Sequence, residues 1–221
     1  MLRCSVLSGL VLVFVATISF AQPPGGGGPG FFGGMGMPAG MLLAMPEVQK
    51  EIAITDAQKP QVEELRSQTQ KDLQEARSGV DFQALRDMSQ EERTKTLTEL
   101  RTKTTEISKQ SDAKLEKVLD EKQMKRLKEL QIQREGAAAF ARPEIVAKLA
   151  LTDDQKAKIK KIQDDARAQG RGAFNPDATP EERQAAMAKM RETRAKVLKD
   201  ILATLNSDQS TTWTELTGKE F

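Results

Sequence analysis

One five-residue phrase constrains this chain more than any other feature: Leu or Ile, then Thr, Asp or Asn, two variable positions, then Gln. It occurs four times, as Ile54-Thr55-Asp56-Ala57-Gln58, Leu119-Asp120-Glu121-Lys122-Gln123, Leu151-Thr152-Asp153-Asp154-Gln155 and Leu205-Asn206-Ser207-Asp208-Gln209. The second position of each copy is a good N-cap residue. Three positions later, the Gln side chain can reach back to the cap residue's own N–H, which makes a capping box. A cap side chain satisfies an otherwise orphaned first-turn donor and stabilises its helix by about 1 kcal/mol. The phrase therefore reports four helix starts and an all-α chain.

Arg3, the apolar run from Val6 to Phe20 and Ser19-Phe20-Ala21 form an export leader over 1–21, too short for a confident membrane span. Its removal takes away Cys4, the single cysteine, leaving a chain that relies on neither disulfides nor thiolate metal sites. The expected location is periplasmic or secreted, with no membrane span after cleavage. Residues 22–42, dominated by Gly, Pro, Met and Phe, lack charge and periodicity and read as a disordered tether. Its methionines offer soft thioether donors, but no Cys or His stands beside them, so linker or packing roles are expected. The near-balance of 34 Lys+Arg against 32 Asp+Glu argues against nucleic acid as a partner.

The remaining chain reads as two like units, 43–136 and 137–221. Residues 43–59 align without gaps on 140–156 at an offset of 97, with Pro46/Pro143, Glu47/Glu144, Thr55/Thr152, Asp56/Asp153 and Gln58/Gln155 identical. Glu91-Glu92-Arg93 matches Glu181-Glu182-Arg183 at an offset of 90, and the Leu119 phrase matches the Leu205 phrase at 86. A unit this long points to tandem subdomains, not a solenoid. Each unit should hold a short helix from Pro46 or Pro143 and a second after Thr55 or Thr152. Pro60 falls just past that second start and should kink the helix. A third, longest helix follows the boxes Ser89-Gln90-Glu91-Glu92 and Thr179-Pro180-Glu181-Glu182, about 40 Å long. Leu97, Leu100, Ile107, Leu115 and Val118, or Met187, Met190, Val197 and Ile201, give it a heptad-like seam. The fourth opens at Asp120 or Asn206. Ile54, Leu119, Leu151 and Leu205 should pack inward.

Catalysis finds little to work with. The chain has no His and no Tyr, and its acids alternate with Lys and Arg as on solvated helix faces. A non-enzyme without cofactor is expected. No Asp-rich loop with a glycine turn suggests Ca²⁺, and Asn175-Pro176-Asp177 reads as a connector. Two basic clusters remain, Lys122, Lys125, Arg126 and Lys128, and Lys156, Lys158, Lys160 and Lys161. They are either solvated flanks or a mixed cationic and apolar surface for unfolded chains and acidic partners.

In Leu151-Thr152-Asp153-Asp154-Gln155, and with Ile in Ile54 to Gln58, the phrase resembles the signature of the Spy/CpxP (LTXXQ-motif) family of helical periplasmic proteins. Leu119-Asp120 and Leu205-Asn206 depart from it by replacing threonine with other N-caps. The resemblance covers about residues 43–221. It implies tandem helical hairpin or cradle units of long amphipathic helices, presenting a concave basic and apolar surface to unfolded or partner proteins without ATP. It also implies envelope stress response, with regulation of a stress sensor as one alternative. The histidines by which related members sense metals are absent here. The duplication suggests that one chain supplies what two subunits build in the family, as a pseudo-dimer, or that the chain forms a homo-oligomer. The seams leave open a further alternative, a coiled-coil structural or oligomerisation module of the envelope.

Overall fold

A computed structural model describes residues 38–170 and 178–221. The leader, the tether up to residue 37 and the Asn175-Pro176-Asp177 connector lie outside them. Among the described residues every regular element is helical, and no helix is long and apolar enough to cross a membrane. In chain order the helices are α1 Ala39–Leu42, α2 Pro46–Glu51, α3 Lys59–Ser78, α4 Gln90–Leu115, α5 Glu121–Glu135, α6 Pro143–Lys148, α7 Asp153–Gly170, α8 Pro180–Leu202 and α9 Ser207–Thr217.

The expected helix starts follow from the caps. Ser89, Asp120, Thr179 and Asn206 each form a full capping box, with both reciprocal bonds present. Thr152 does the same with Gln155, at 3.2 and 3.0 Å. The first copy differs. Thr55 N–H donates to Gln58 Oε1 at 3.0 Å, but residues 56–58 form a turn and α3 opens at Lys59. Pro60 thus lies in the first turn, where a missing N–H costs no helical bond, and the kink expected there has no cause. At the matching position α7 has Ala157, and that helix starts at Asp153.

The first and third phrases also follow directly on the ends of the preceding helices. Ala53 and Ala150 adopt left-handed backbone, with φ +53° and +46°. Ile54 N–H bonds to Gln49 O at 2.9 Å and Ala53 N–H to Lys50 O at 3.1 Å; Leu151 bonds to Val146 O at 3.2 Å and Ala150 to Ala147 O at 3.0 Å. These are Schellman closures with alanine where glycine is usual. In these two copies the first letter of the phrase, Ile54 or Leu151, is the hydrophobic residue that follows the closure. Leu119 and Leu151 are buried, while Ile54 and Leu205 are half-buried against the cores.

Two antiparallel hairpins, α3–α4 and α7–α8, rise from two apolar clusters. The first gathers Leu43, Val48, Val62, Leu115 and Leu127 with their neighbours; the second gathers Phe140, Ile145, Leu149, Ile159, Ile201 and Trp213. Phe140 stacks on Trp213 with ring centroids 4.5 Å apart. Helix α5 serves both clusters, through Leu127 and Leu130 on one side and Ile132 on the other. Its outer face meets α9, and the 3₁₀ turn Gly136–Ala141 meets α8. The two parts are therefore packed together and not merely strung.

The end of the uncharged N-terminal stretch is not a tether. Pro38, Ala39 and Gly40 are buried, and α1 is wedged among α3, α4 and α5. Gly40 permits this, since a Cβ there would lie 2.9 Å from Leu115 Cδ1. Glycine's absent side chain, read as looseness, is here close approach. Met45 Sδ accepts from Arg134 Nη1 at 2.9 Å, a packing role.

Beside α1, the Asp112 carboxylate accepts from the Ala39 N–H, while its Oδ1 is buried with no partner among the described residues. Burial pushes its pKa up from 3.8 to about 6, against the pull of Lys128 and Arg142. A raised acid favours the protonated folded state. Its contribution is full below pH 4 and is lost as pH rises through about 6. Wild type minus Asp112→Asn, measured by denaturant titration between pH 4 and 7, should fall by about 1 to 3 kcal/mol. A flat difference would contradict this burial. Separately, Ala150→Gly should raise stability by about 1 kcal/mol, because glycine removes the left-handed penalty.

Candidate functional site

A glutamine amide has two donor hydrogens and an oxygen that accepts two bonds. In the first half, Gln58 Nε2 donates to Gln123 Oε1 and to Val118 O, both at 2.8 Å. Gln123 Nε2 returns the bond to Gln58 Oε1 at 3.0 Å and reaches Ala53 O at 3.1 Å. Each oxygen also accepts its own cap N–H, from Thr55 and Asp120, at 3.0 Å. Both amides are saturated.

The second half repeats the arrangement. Gln155 Nε2 donates to Gln209 Oε1 at 2.7 Å and Thr204 O at 2.9 Å, and Gln209 Nε2 donates to Gln155 Oε1 at 3.0 Å and Ala150 O at 3.5 Å. Thr152 and Asn206 N–H groups complete the set at 3.0 Å. In every case the carbonyl reached is that of the residue just before the partner phrase. Gln123 and Gln209 are buried. The structure thus brings Ile54, Thr55 and Gln58 to Leu119, Asp120 and Gln123, and Leu151, Thr152 and Gln155 to Leu205, Asn206 and Gln209, as two clasps at the bases of the hairpins.

The clasp was missed by reading the phrases one at a time. Its signal is chemical: the exposed boxes at Ser89 and Thr179 close with Glu92 and Glu182, whereas all four phrases close with glutamine. A carboxylate serves a cap as well as an amide does, but it has no donors to spend on a second partner.

The basic residues divide. Arg126 is drawn inward, donating to Glu51 at 2.9 Å, Glu129 at 3.0 Å and the Lys219 carbonyl at 2.8 Å. It is a joint residue, not part of an open surface. Lys128 pairs with Glu116 at 2.8 Å, Lys156 with Asp153 at 3.1 Å, and Lys161 with Asp165 at 2.7 Å; Lys160 pairs with Asp164, and Lys125 lies 3.9 Å from Glu129. Lys122 and Lys158 are exposed. Pairs on exposed helix flanks stabilise by at most about 1 kcal/mol each, so these lysines remain easily re-partnered.

Apolar exposure lies elsewhere, at the ends of the hairpins remote from the clasps. Leu97 on α4 is 39% exposed and Met187 on α8 is 43% exposed. They stand 90 residues apart, the offset that relates the two third-helix boxes, and each is two turns into its helix. Deeper along the seams, Leu100, Leu115 and Ile201 are buried. Among the described residues no group of three or more His, Cys, Asp or Glu is placed to hold a metal ion. No family model matches this chain, and neither a curated protein nor a solved structure matches it.

Gln123→Ala should cost about 2 to 4 kcal/mol in denaturant titration, because it strands the Ala53 carbonyl and the Gln58 amide as well as removing a cap. Glu92→Ala, which loses only an exposed cap bond, should cost clearly less than Gln123→Ala in the same titration. Equal losses would show that the glutamines act as caps alone.

Proposed function

We propose that this chain is an exported, internally duplicated LTXXQ-type protein of the cell envelope that binds unfolded or partner proteins without ATP. The observation that carries the reading is the matched pair Leu97 and Met187, apolar positions left open on the longest helices. Around them stand charges of both signs, Glu92, Arg93, Lys95 and Glu99 on α4 and Glu182, Arg183, Lys189 and Arg191 on α8. An isolated leucine or methionine on a charged flank offers a shallow contact. Such contacts delay aggregation by weak, repeated capture and release their clients without nucleotide hydrolysis.

The matched glutamine clasps and closures support reading the two halves as repeats of one unit. Their contacts through α5, α9 and the 3₁₀ turn support a pseudo-dimer within one chain. A coiled-coil spacer is the weaker reading, since Leu100, Leu115 and Ile201 are buried within the fold and Ile107, Met190 and Val197 are half-buried.

The test is light scattering from a chemically unfolded client, without nucleotide, at substoichiometric and equimolar protein. Scattering should be suppressed, and Leu97→Lys with Met187→Lys should reduce the suppression at least severalfold while circular dichroism stays unchanged. Scattering untouched by the wild-type chain would overturn the proposal.

A further inference from the structure

Residues 217–221 lie across α5 in a manner that reads main chain, not side chains. Gln133 Nε2 donates to the carbonyls of Thr217 at 2.6 Å and Lys219 at 2.7 Å, and Gln133 Oε1 accepts the Phe221 N–H at 3.2 Å. Arg126 Nη1 adds a second donor to the Lys219 carbonyl at 2.8 Å. Every one of these bonds ends on backbone, at alternate residues of a short segment. Two side-chain positions are nonetheless constrained. At Gly218, φ is +62° and ψ −157°, a backbone region that favours glycine, and a Cβ would stand 2.1 Å from the end of the Glu129 side chain. Phe221, three residues on, packs against the first apolar cluster.

We propose that this face of α5 is a peptide-binding site, held in the structure by the chain's own segment, for polypeptide of the form Gly-x-x-aromatic or Gly-x-x-large apolar. The inference rests on the reading that the protein binds unfolded chains, and it names the segments that would be taken. Backbone bonds make the site tolerant of sequence between its two anchors, as capture of varied unfolded chains requires. A shallow groove of about 550 Å³ runs beside it, lined by Met124, Ile132 and Leu216 and by charges of both signs, Lys125 and Lys128 with Glu121 and Glu215 among them. It offers an incoming chain room to continue past the anchors. The resident segment is tethered through α9, so it competes at an effective concentration on the order of millimolar. A client must therefore present several such segments, or bind where the resident one is weakened.

Fluorescence anisotropy with a labelled, end-blocked pentapeptide Thr-Gly-Lys-Glu-Phe tests this on the full chain. Phe221→Ser should raise peptide affinity at least tenfold over wild type. Adding Gln133→Glu, which keeps an acceptor but removes both donors, should abolish the gain. Replacing glycine by alanine, or phenylalanine by serine, in the probe should do the same. Circular dichroism identifies any variant that has lost its helices; a second combination, Phe221→Ser with Arg126→Gln, then serves in its place. Affinity unchanged by Phe221→Ser, or retained when Gln133 loses its donors, would overturn the site. Suppressed scattering of an unfolded client in that event would leave the broader reading standing, whereas absent suppression with intact peptide binding would remove only the broader one.

Discussion

Two carboxamides facing each other, each with every hydrogen-bonding capacity filled, hold the base of each hairpin. Their bonds span 65 residues in the first half and 54 in the second. A lone cap bond stabilises a helix; this arrangement stabilises the placing of one helix start against another. The net gain of each bond is only about 1 kcal/mol, but a stranded buried partner costs about 1 to 3 kcal/mol. Saturation is what makes the clasp a constraint. It also explains the strained alanines, because the Ala53 and Ala150 carbonyls that accept the glutamine donors belong to the left-handed turns that end α2 and α6.

What was legible in the sequence was local, and what was not was tertiary. Seven of the helix starts are written in cap residues, Pro46 or Pro143, and the structure places those helices within a residue of the expectation. Lys59 is the exception. There the cap at Thr55 competes with Pro60, and a proline in the first turn is better accommodated than one four residues further in. The seam residues Leu100, Leu115 and Ile201 were recognisable as core, but Leu97 and Met187 carry the same periodicity and stay open. Periodicity reports which face a residue occupies; it does not report how far the partner helix extends.

Composition misled in two places for physical reasons. Ala39 and Gly40 close a stretch that has the content of a linker, yet a glycine is also the residue that lets α1 approach Leu115 and Ser111. Arg126 sits in a run of lysines and looks like one more surface cation. Its planar fork, however, satisfies Glu51, Glu129 and a backbone carbonyl at once, which a lysine ammonium on a flexible stem does less well. A charge cluster in sequence thus contains one residue that builds the joint and several that face water.

The placement of order and exposure has a functional consequence. Clasps, closures and both apolar clusters are gathered at one end of the hairpins, and the open leucine and methionine stand at the other. Local stability in a helical hairpin follows buried contact, so the clasped end should open only with the whole fold while the remote end opens more readily. A binding surface placed at that remote end can adjust to irregular, unfolded partners without loosening what holds the helices together. The α5 face that grips residues 217–221 lies instead against the joint between the halves, where a bound segment would meet a rigid surface. Under the proposed reading, unfolded polypeptide would meet two kinds of contact, a yielding one at the tips and a selective one at the centre.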